Sequence, residues 1–180
     1  MQEPTLQQLR FPIGNFQKPP EITPEMLLGW IIDIENLPAL LRKAVDGLTE
    51  EQLLLPYRPE GWTIRQTVNH VADSHANAFI RFKLALTEHT PTIKPYEEHL
   101  WAELEDGKNA PIEWSLIMLD VMHKRWIMLL KSMTNEQFDH QFIHPETKHL
   151  NSLRTVTGMY SWHGKHHTAH ITELRRRMEI

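Results

Sequence analysis

Apolar residues recur at helical spacing in four separate stretches of this 180-residue chain, each stretch opens with a helix-start signal, and β-type alternation is nearly absent. That pattern confines the chain to all-α folds. In "TPEMLLGWIIDIENLPALLRKAVDGL", Thr23 is placed as N-cap and Pro24 as first helical residue, with Leu27, Trp30, Ile31, Ile34, Leu37, Leu41 and Val45 along one side. Pro38 should kink this first helix. A second helix opens on the capping box Thr63–Gln66 and runs to about residue 88, a third starts at Pro111, and a fourth runs from Ser152 to about Met178. Residues 89–110 mix prolines, acids and aromatics without a sustained period, and read as a long crossover between helices two and three with one helical turn around Glu97–Leu104.

A weak internal repeat orders these helices. "LTEEQLLLPYRPEGWTIR" (48–65) and "MTNEQFDHQFIHPETKHLNSLR" (133–154) share Thr-x-Glu-Gln, an aromatic, Pro-Glu, a polar cap and an apolar-Arg pair. One copy joins helices one and two, the other three and four. Equivalent connections between two helix pairs predict a pseudo-twofold four-helix bundle. With 41% hydrophobic residues, residues 1–180 can bury a core as one domain. Cysteine is absent, so imidazole or carboxylate must supply any metal ligands, and any thiol handled must be substrate. The start, "MQEPTLQQLRF", lacks an apolar leader and no stretch is long and apolar enough to span a membrane, which points to a cytoplasmic protein without a membrane partner. A balance of 19 Lys+Arg against 23 Asp+Glu, net charge −4, gives no reason to expect nucleic acid.

The stretch "WHGKHHTAHI" (162–171) holds four histidines. Measured from the centre of the apolar face of helix four, at about 100° per residue, His167 lies roughly 15° away, His163 roughly 50°, His170 roughly 75° and His166 roughly 115°. His163 and His167 therefore point inward and His166 towards solvent. Their i, i+4 spacing lets one ion take both rings, and equally suits two core histidines bonded to neighbouring side chains. On helix two the apolar face takes in His75 and leaves His70 roughly 140° away. His70 instead heads a polar stripe, His70, Ser74, Asn77 and Arg81, which either meets water or lines a cavity. Aligning Thr63 with Ser152 sets Ser74 opposite His163, which favours the cavity.

With "FPIGNF" (11–16), "YRPEGWTIRQTVNHVADSHANAFIRFKLALTE" (57–88), "KPYEEHLWAEL" (94–104) and "WHGKHHTAHITELRRRM" (162–178), the chain resembles the YfiT-like branch of the DinB superfamily over nearly its whole length. Those proteins are four-helix bundles described as metal-dependent hydrolases and as bacillithiol S-transferases. The resemblance implies one divalent ion, zinc or nickel, held by His70, His163 and His167, and a homodimer. One departure is Lys165, where relatives can carry a further histidine; it faces away from the apolar side and should not alter the ion.

Three neutral imidazoles would leave such an ion open positions, where it can lower the pKa of water for hydrolysis or hold a thiol as thiolate. The first expectation is transfer of bacillithiol or a similar small thiol to electrophiles in detoxification. The alternatives are hydrolysis of a small molecule, and a metal-binding bundle without catalysis. Asp73, one turn beyond His70, is the nearest candidate base, although it could equally orient an imidazole or meet water. Asn77 and Arg81 could bind the carboxylates of a thiol, against the plainer reading of a surface ion pair. Tyr96 and Trp101 could wall the pocket or simply pack. The run Glu97, Glu98, Glu103, Glu105 and Asp106 is expected to be solvated, the arginines 175–177 to complement the helix dipole, and Met118, Met122, Met128 and Met133 to fill core.

Overall fold

The computed structural model describes residues 4–180. Its elements are α1 (Leu6–Arg10), α2 (Pro24–Val45), α3 (Glu50–Leu53), α4 (Ile64–Thr87), α5 (Glu98–Ala102), α6 (Glu105–Asn109), α7 (Ile112–Ser132), strands β1 (Gln141–Ile143) and β2 (Leu150–Ser152), and α8 (Leu153–Met178). The four expected long helices are α2, α4, α7 and α8. Their starts follow from local hydrogen bonding. Thr23 Oγ1 accepts from the Met26 amide at 3.3 Å, and the Thr63–Gln66 box closes in both directions, at 3.1 and 3.0 Å. Ser152 caps α8 by accepting from the Thr155 amide at 3.3 Å. Pro38 does not end α2, which stays helical through it.

Within each half the two long helices lie diagonally in the bundle: α2 and α4 each pack on both α7 and α8 rather than on one another. The two halves match as the repeat requires. The Ile64 amide donates to the Leu55 carbonyl at 3.1 Å, and at the aligned position the Leu153 amide donates to the His140 carbonyl at 2.9 Å. Thr49–Gln52 and Thr134–Gln137 form the same reciprocal box.

Three features depart from the sequence reading. The second connection contains an antiparallel β1–β2 hairpin, with Phe142 opposite Asn151; strands of three residues are too short to show a period. The crossover forms two short helices rather than one turn, because buried amides on α4 take up its carbonyls. Gln66 donates to Ala102 O at 2.9 Å, and Asn69 to Asp106 O at 3.2 Å and Gly107 O at 3.1 Å. Gly107 is needed there: a Cβ would meet the Trp101 carbonyl oxygen at 2.7 Å. Finally, Met118 and Met128 are exposed rather than core, since α7 turns Leu116, Leu119, His123, Trp126, Ile127 and Leu130 inward.

The interior is two apolar clusters. One gathers Leu27, Ile31, Ile34, Phe82, Trp126, Phe142 and Tyr160, the other Leu37, Leu41, Ile64, Val68, Val71, Leu119, Ile171 and Leu174. In each helix the sequence passes from one cluster to the other across a short interval. The intervals in α4, α7 and α8 hold His75, His123, and His163 with His167. A layer of imidazole thus divides the core.

Candidate metal centre

Two of the inward histidines lie one turn apart on α8, and His70 approaches them from α4. Ring nitrogens of His70, His163 and His167 all lie within 4.8 Å of one another. His70 Nε2 is 3.3 Å from His163 Nε2, and Ser74 Oγ is 3.4 Å from that same nitrogen. The first turn of the polar stripe, His70 with Ser74, thus faces the histidines of α8. Trp62, at the start of α4, covers the group, its ring 4.5 Å from His70 and 6.3 Å from His167.

Burial keeps these rings neutral. Desolvation lowers the His70 pKa to about 4, with His166 adding to the shift. It drives His163 and His167 well below the usual histidine value, helped by the neighbouring imidazoles. Neutral imidazole is the form that offers a lone pair to a cation. Two nitrogens each about 2.0–2.1 Å from a tetrahedral ion sit roughly 3.3–3.4 Å apart, the separation of His70 and His163 Nε2. His167 Nδ1 is buried without a hydrogen-bond partner. The donor set and its spacing fit a divalent cation.

The cavity outside this group measures about 480 Å³, and its walls include Arg10, Tyr57, Arg58, Trp62, Glu98 and His166. Most of these residues carried no signal of their own in the sequence. His166, expected in solvent, is buried. The segment from Phe11 to Phe16 folds over α8, with Trp162 Nε1 donating to the Gly14 carbonyl at 3.0 Å. His166 is stacked on Trp162 at 4.5 Å and lies 5.9 Å from Phe11. His166, His167 and His170 also form a close nitrogen cluster, but His170 is occupied, donating through Nε2 to the Arg10 carbonyl at 3.1 Å and stacking on Tyr57.

The other candidates lie elsewhere. Asp73 is half-buried outside the cavity wall; burial and the neighbouring Asp106 raise its carboxyl to about 6. It is one turn from His70 in sequence, yet about 60° away around α4, on the side that meets the crossover. Asn77 donates back to the Asp73 carbonyl at 2.9 Å, and Arg81 donates to the Lys94 carbonyl at 3.4 Å with its guanidinium 6.0 Å from the Tyr96 ring centre. Neither Asn77 nor Arg81 lines the histidine cavity. Tyr96 packs on Trp101, 4.5 Å between ring centres. Lys165 points outward and pairs with Asp33 at 2.7 Å, clear of the cluster.

The class defined by fold and site is a four-helix bundle with three convergent histidines at the head of a polar cavity. The DinB superfamily model matches residues 33–171, and the chain belongs to that superfamily. It is 55% identical over 170 residues to a protein of Bacillus cereus strain B4264 named "putative metal-dependent hydrolase", covering 94% of this chain and 97% of the relative. A Bacillus thuringiensis subsp. konkukian protein of the same name matches with the same identity and coverage. Among solved structures, YfiT from Bacillus subtilis, described as "a probable metal-dependent hydrolase with an unusual four-helix bundle topology", superposes with a TM-score of 0.93. It is 49% identical, and the match covers 96% of this chain and 98% of that one. Among the described residues no helix is long and apolar enough to cross a membrane.

Proposed function

We propose that His70, His163 and His167 hold one divalent ion and that the protein is a metal-dependent hydrolase of a small molecule. The observation that carries this reading is the convergence of three neutral imidazoles, His70 and His167 buried and His163 partly so, from two helices at the head of an open cavity. The names of the relatives from Bacillus cereus and Bacillus thuringiensis support it. When bound, such an ion supplies Lewis acidity and lowers the pKa of a water or thiol beside it. The chain supplies the rest. Trp62 and Trp162 with the Phe11–Phe16 segment exclude bulk water from one side of the cluster, Ser74 offers a hydroxyl beside His163, and Arg10 and Arg58 present cationic groups along the cavity.

A second reading, transfer of a small thiol such as bacillithiol to an electrophile, is favoured by the position of the acids. Asp73 lies outside the cavity, and the carboxylates that line it, Glu60 and Glu98, are exposed side chains rather than groups packed on the histidines. Transfer of a thiolate needs no such base. Metal content measured on protein purified without added metal, beside His167→Ala, tests the site: wild type should carry close to one equivalent of one ion and the variant far less. Equal trace amounts in both would end the assignment. Zinc or nickel is then decided by the same measurement. An ester and amide panel and, separately, a thiol with a chromogenic electrophile distinguish the reactions. Cleavage lost in His163→Ala supports the hydrolase, adduct formation without cleavage supports the transferase, and silence in both with metal retained leaves a binding bundle.

A further inference from the structure

Pro38 has no amide hydrogen, so the helical bond that residue 38 would donate to the Ile34 carbonyl cannot form. That carbonyl lies in the core, where an unpaired acceptor costs about 1–3 kcal/mol. His123 fills the gap from α7, its Nδ1 2.7 Å from Ile34 O. Beyond it, His123 Nε2 is 3.1 Å from His75 Nδ1, and His75 Nε2 is 3.2 Å from His163 Nδ1. Four groups from four helices therefore stand in line, ending on a member of the metal cluster.

The direction of every hydrogen in this line follows from its first link. A carbonyl oxygen only accepts, so His123 Nδ1 carries the hydrogen. Burial keeps His123 neutral, its pKa lowered to about 4, and a neutral ring has one bare nitrogen, here Nε2. His75, fully buried and likewise neutral, must donate to it through Nδ1 and so keeps Nε2 bare. His163 must then donate through Nδ1. Its Nε2, the atom 3.3 Å from His70 Nε2, is left with a free lone pair. Any other arrangement of neutral rings sets two N–H groups or two lone pairs head to head, or strands the Ile34 carbonyl.

We propose that His123 and His75 are positioning residues that fix the tautomer and ring angle of His163, with the carbonyl freed by Pro38 as their anchor. The proposal rests on His163 being a metal ligand. Orientation is the only task this line can perform. It stops at a backbone carbonyl and is enclosed by Trp126, 5.8 Å from His75 and 5.7 Å from His123, and by Tyr160, 5.1 Å from His75. No proton can leave by it. Metal-bound histidines generally have their other ring nitrogen held by a partner, and loss of that partner weakens metal binding about 10–100-fold. Here the partner is a second imidazole, itself held by a third.

The first test needs neither metal nor mutation. In metal-free protein labelled with 15N-histidine, at a pH where the rings are neutral, His163 should appear as the Nδ1–H tautomer with bare Nε2; the Nε2–H tautomer would overturn the proposal. The second is zinc titration of folded variants. His75→Leu should bind zinc about 10–100-fold more weakly than wild type, while His75→Gln, whose amide donates to His123 and accepts from His163, should recover most of the loss. Unchanged affinity in His75→Leu, or a His75→Gln as weak as His75→Leu, would overturn it. If His75→Leu does not fold, the wild-type tautomer and His75→Gln still decide. Wild-type protein with no affinity for zinc or nickel would end the metal reading instead, and the tautomer measurement would remain valid by itself.

Discussion

Acid should unfold the metal-free protein through its buried imidazoles. His70, His75, His123, His163 and His167 are held neutral by burial, with pKa values of about 4 for His70 and His123 and well below the ordinary value for the other three. In the unfolded chain each returns to about 6.5. The unfolded state thus binds more protons between about pH 6.5 and 4, so stability is complete above 6.5 and falls as pH falls. Moving from pH 7 to 5 costs about 2 kcal/mol for His70 and for His123. These two alone amount to about 4 kcal/mol, a large share of a whole domain's stability of about 5–15 kcal/mol, and His75, His163 and His167 act in the same direction. The assay is urea unfolding followed by tryptophan fluorescence at closely spaced pH values, with a chelator present. The expected result is a stability that drops by several times about 1.4 kcal/mol per pH unit between pH 6.5 and 5, that is, by several protons taken up. A slope equivalent to one proton or fewer would refute the claim that these rings are buried and neutral. Added zinc should move the curve to lower pH, because protons and the ion compete for the same lone pairs.

Three smaller perturbations test other parts of the fold. Gly158→Ala sets a methyl group 2.8 Å from the Trp30 ring; despite a helix-propensity gain of about 1 kcal/mol, thermal unfolding should show a net loss of about 1–2 kcal/mol. Asp73→Asn should stabilise the protein by about 1 kcal/mol at pH 7.5, discounted for partial exposure. The carboxyl is raised to about 6 in the fold, so its ionisation opposes folding as pH rises through that value, and the gain should vanish near pH 4. Thr63→Ala removes the side-chain half of the α4 capping box and should cost about 1 kcal/mol in urea unfolding.

What the sequence disclosed was whatever depends on neighbours within a turn. The helix starts at Thr23, Thr63 and Ser152 are local hydrogen-bonding patterns, and they stand where the residues place them. The inward facing of His163, His167 and His75 follows from an angle count along one helix. His166 escaped that count because its cover comes from Phe11, some 150 residues earlier, which no single-helix argument contains. His70 shows the opposite case. It lies far from the centre of its helix's apolar face, yet faces the cavity, because Trp62 and α8 close over the flank of α4; the repeat, by setting Ser74 opposite His163, and the family resemblance point there, while periodicity does not. Methionine carries composition but no direction, so residue type alone does not show that Met128 lies on the exposed side of α7, away from its Leu119–Trp126 face.

His123 is the instructive omission. Its spacing from Leu119 and Trp126 puts it on the buried face of α7, a signal available in the sequence, but a lone histidine among leucines suggests no partner. The partner is three-dimensional. An imidazole layer across a bundle core needs each ring to find its complement on another helix at the same height, since every polar atom left unpaired there costs about 1–3 kcal/mol. α4, α7 and α8 meet that demand with histidines, while α2 has no histidine in its interval. It contributes instead through Pro38, whose missing amide hydrogen turns a backbone carbonyl into the acceptor that starts the line. A proline four residues after a buried isoleucine and a histidine on another helix's apolar face are each unremarkable alone. Joined by the packing of α2 directly against α7 and α8, they become one side of the site.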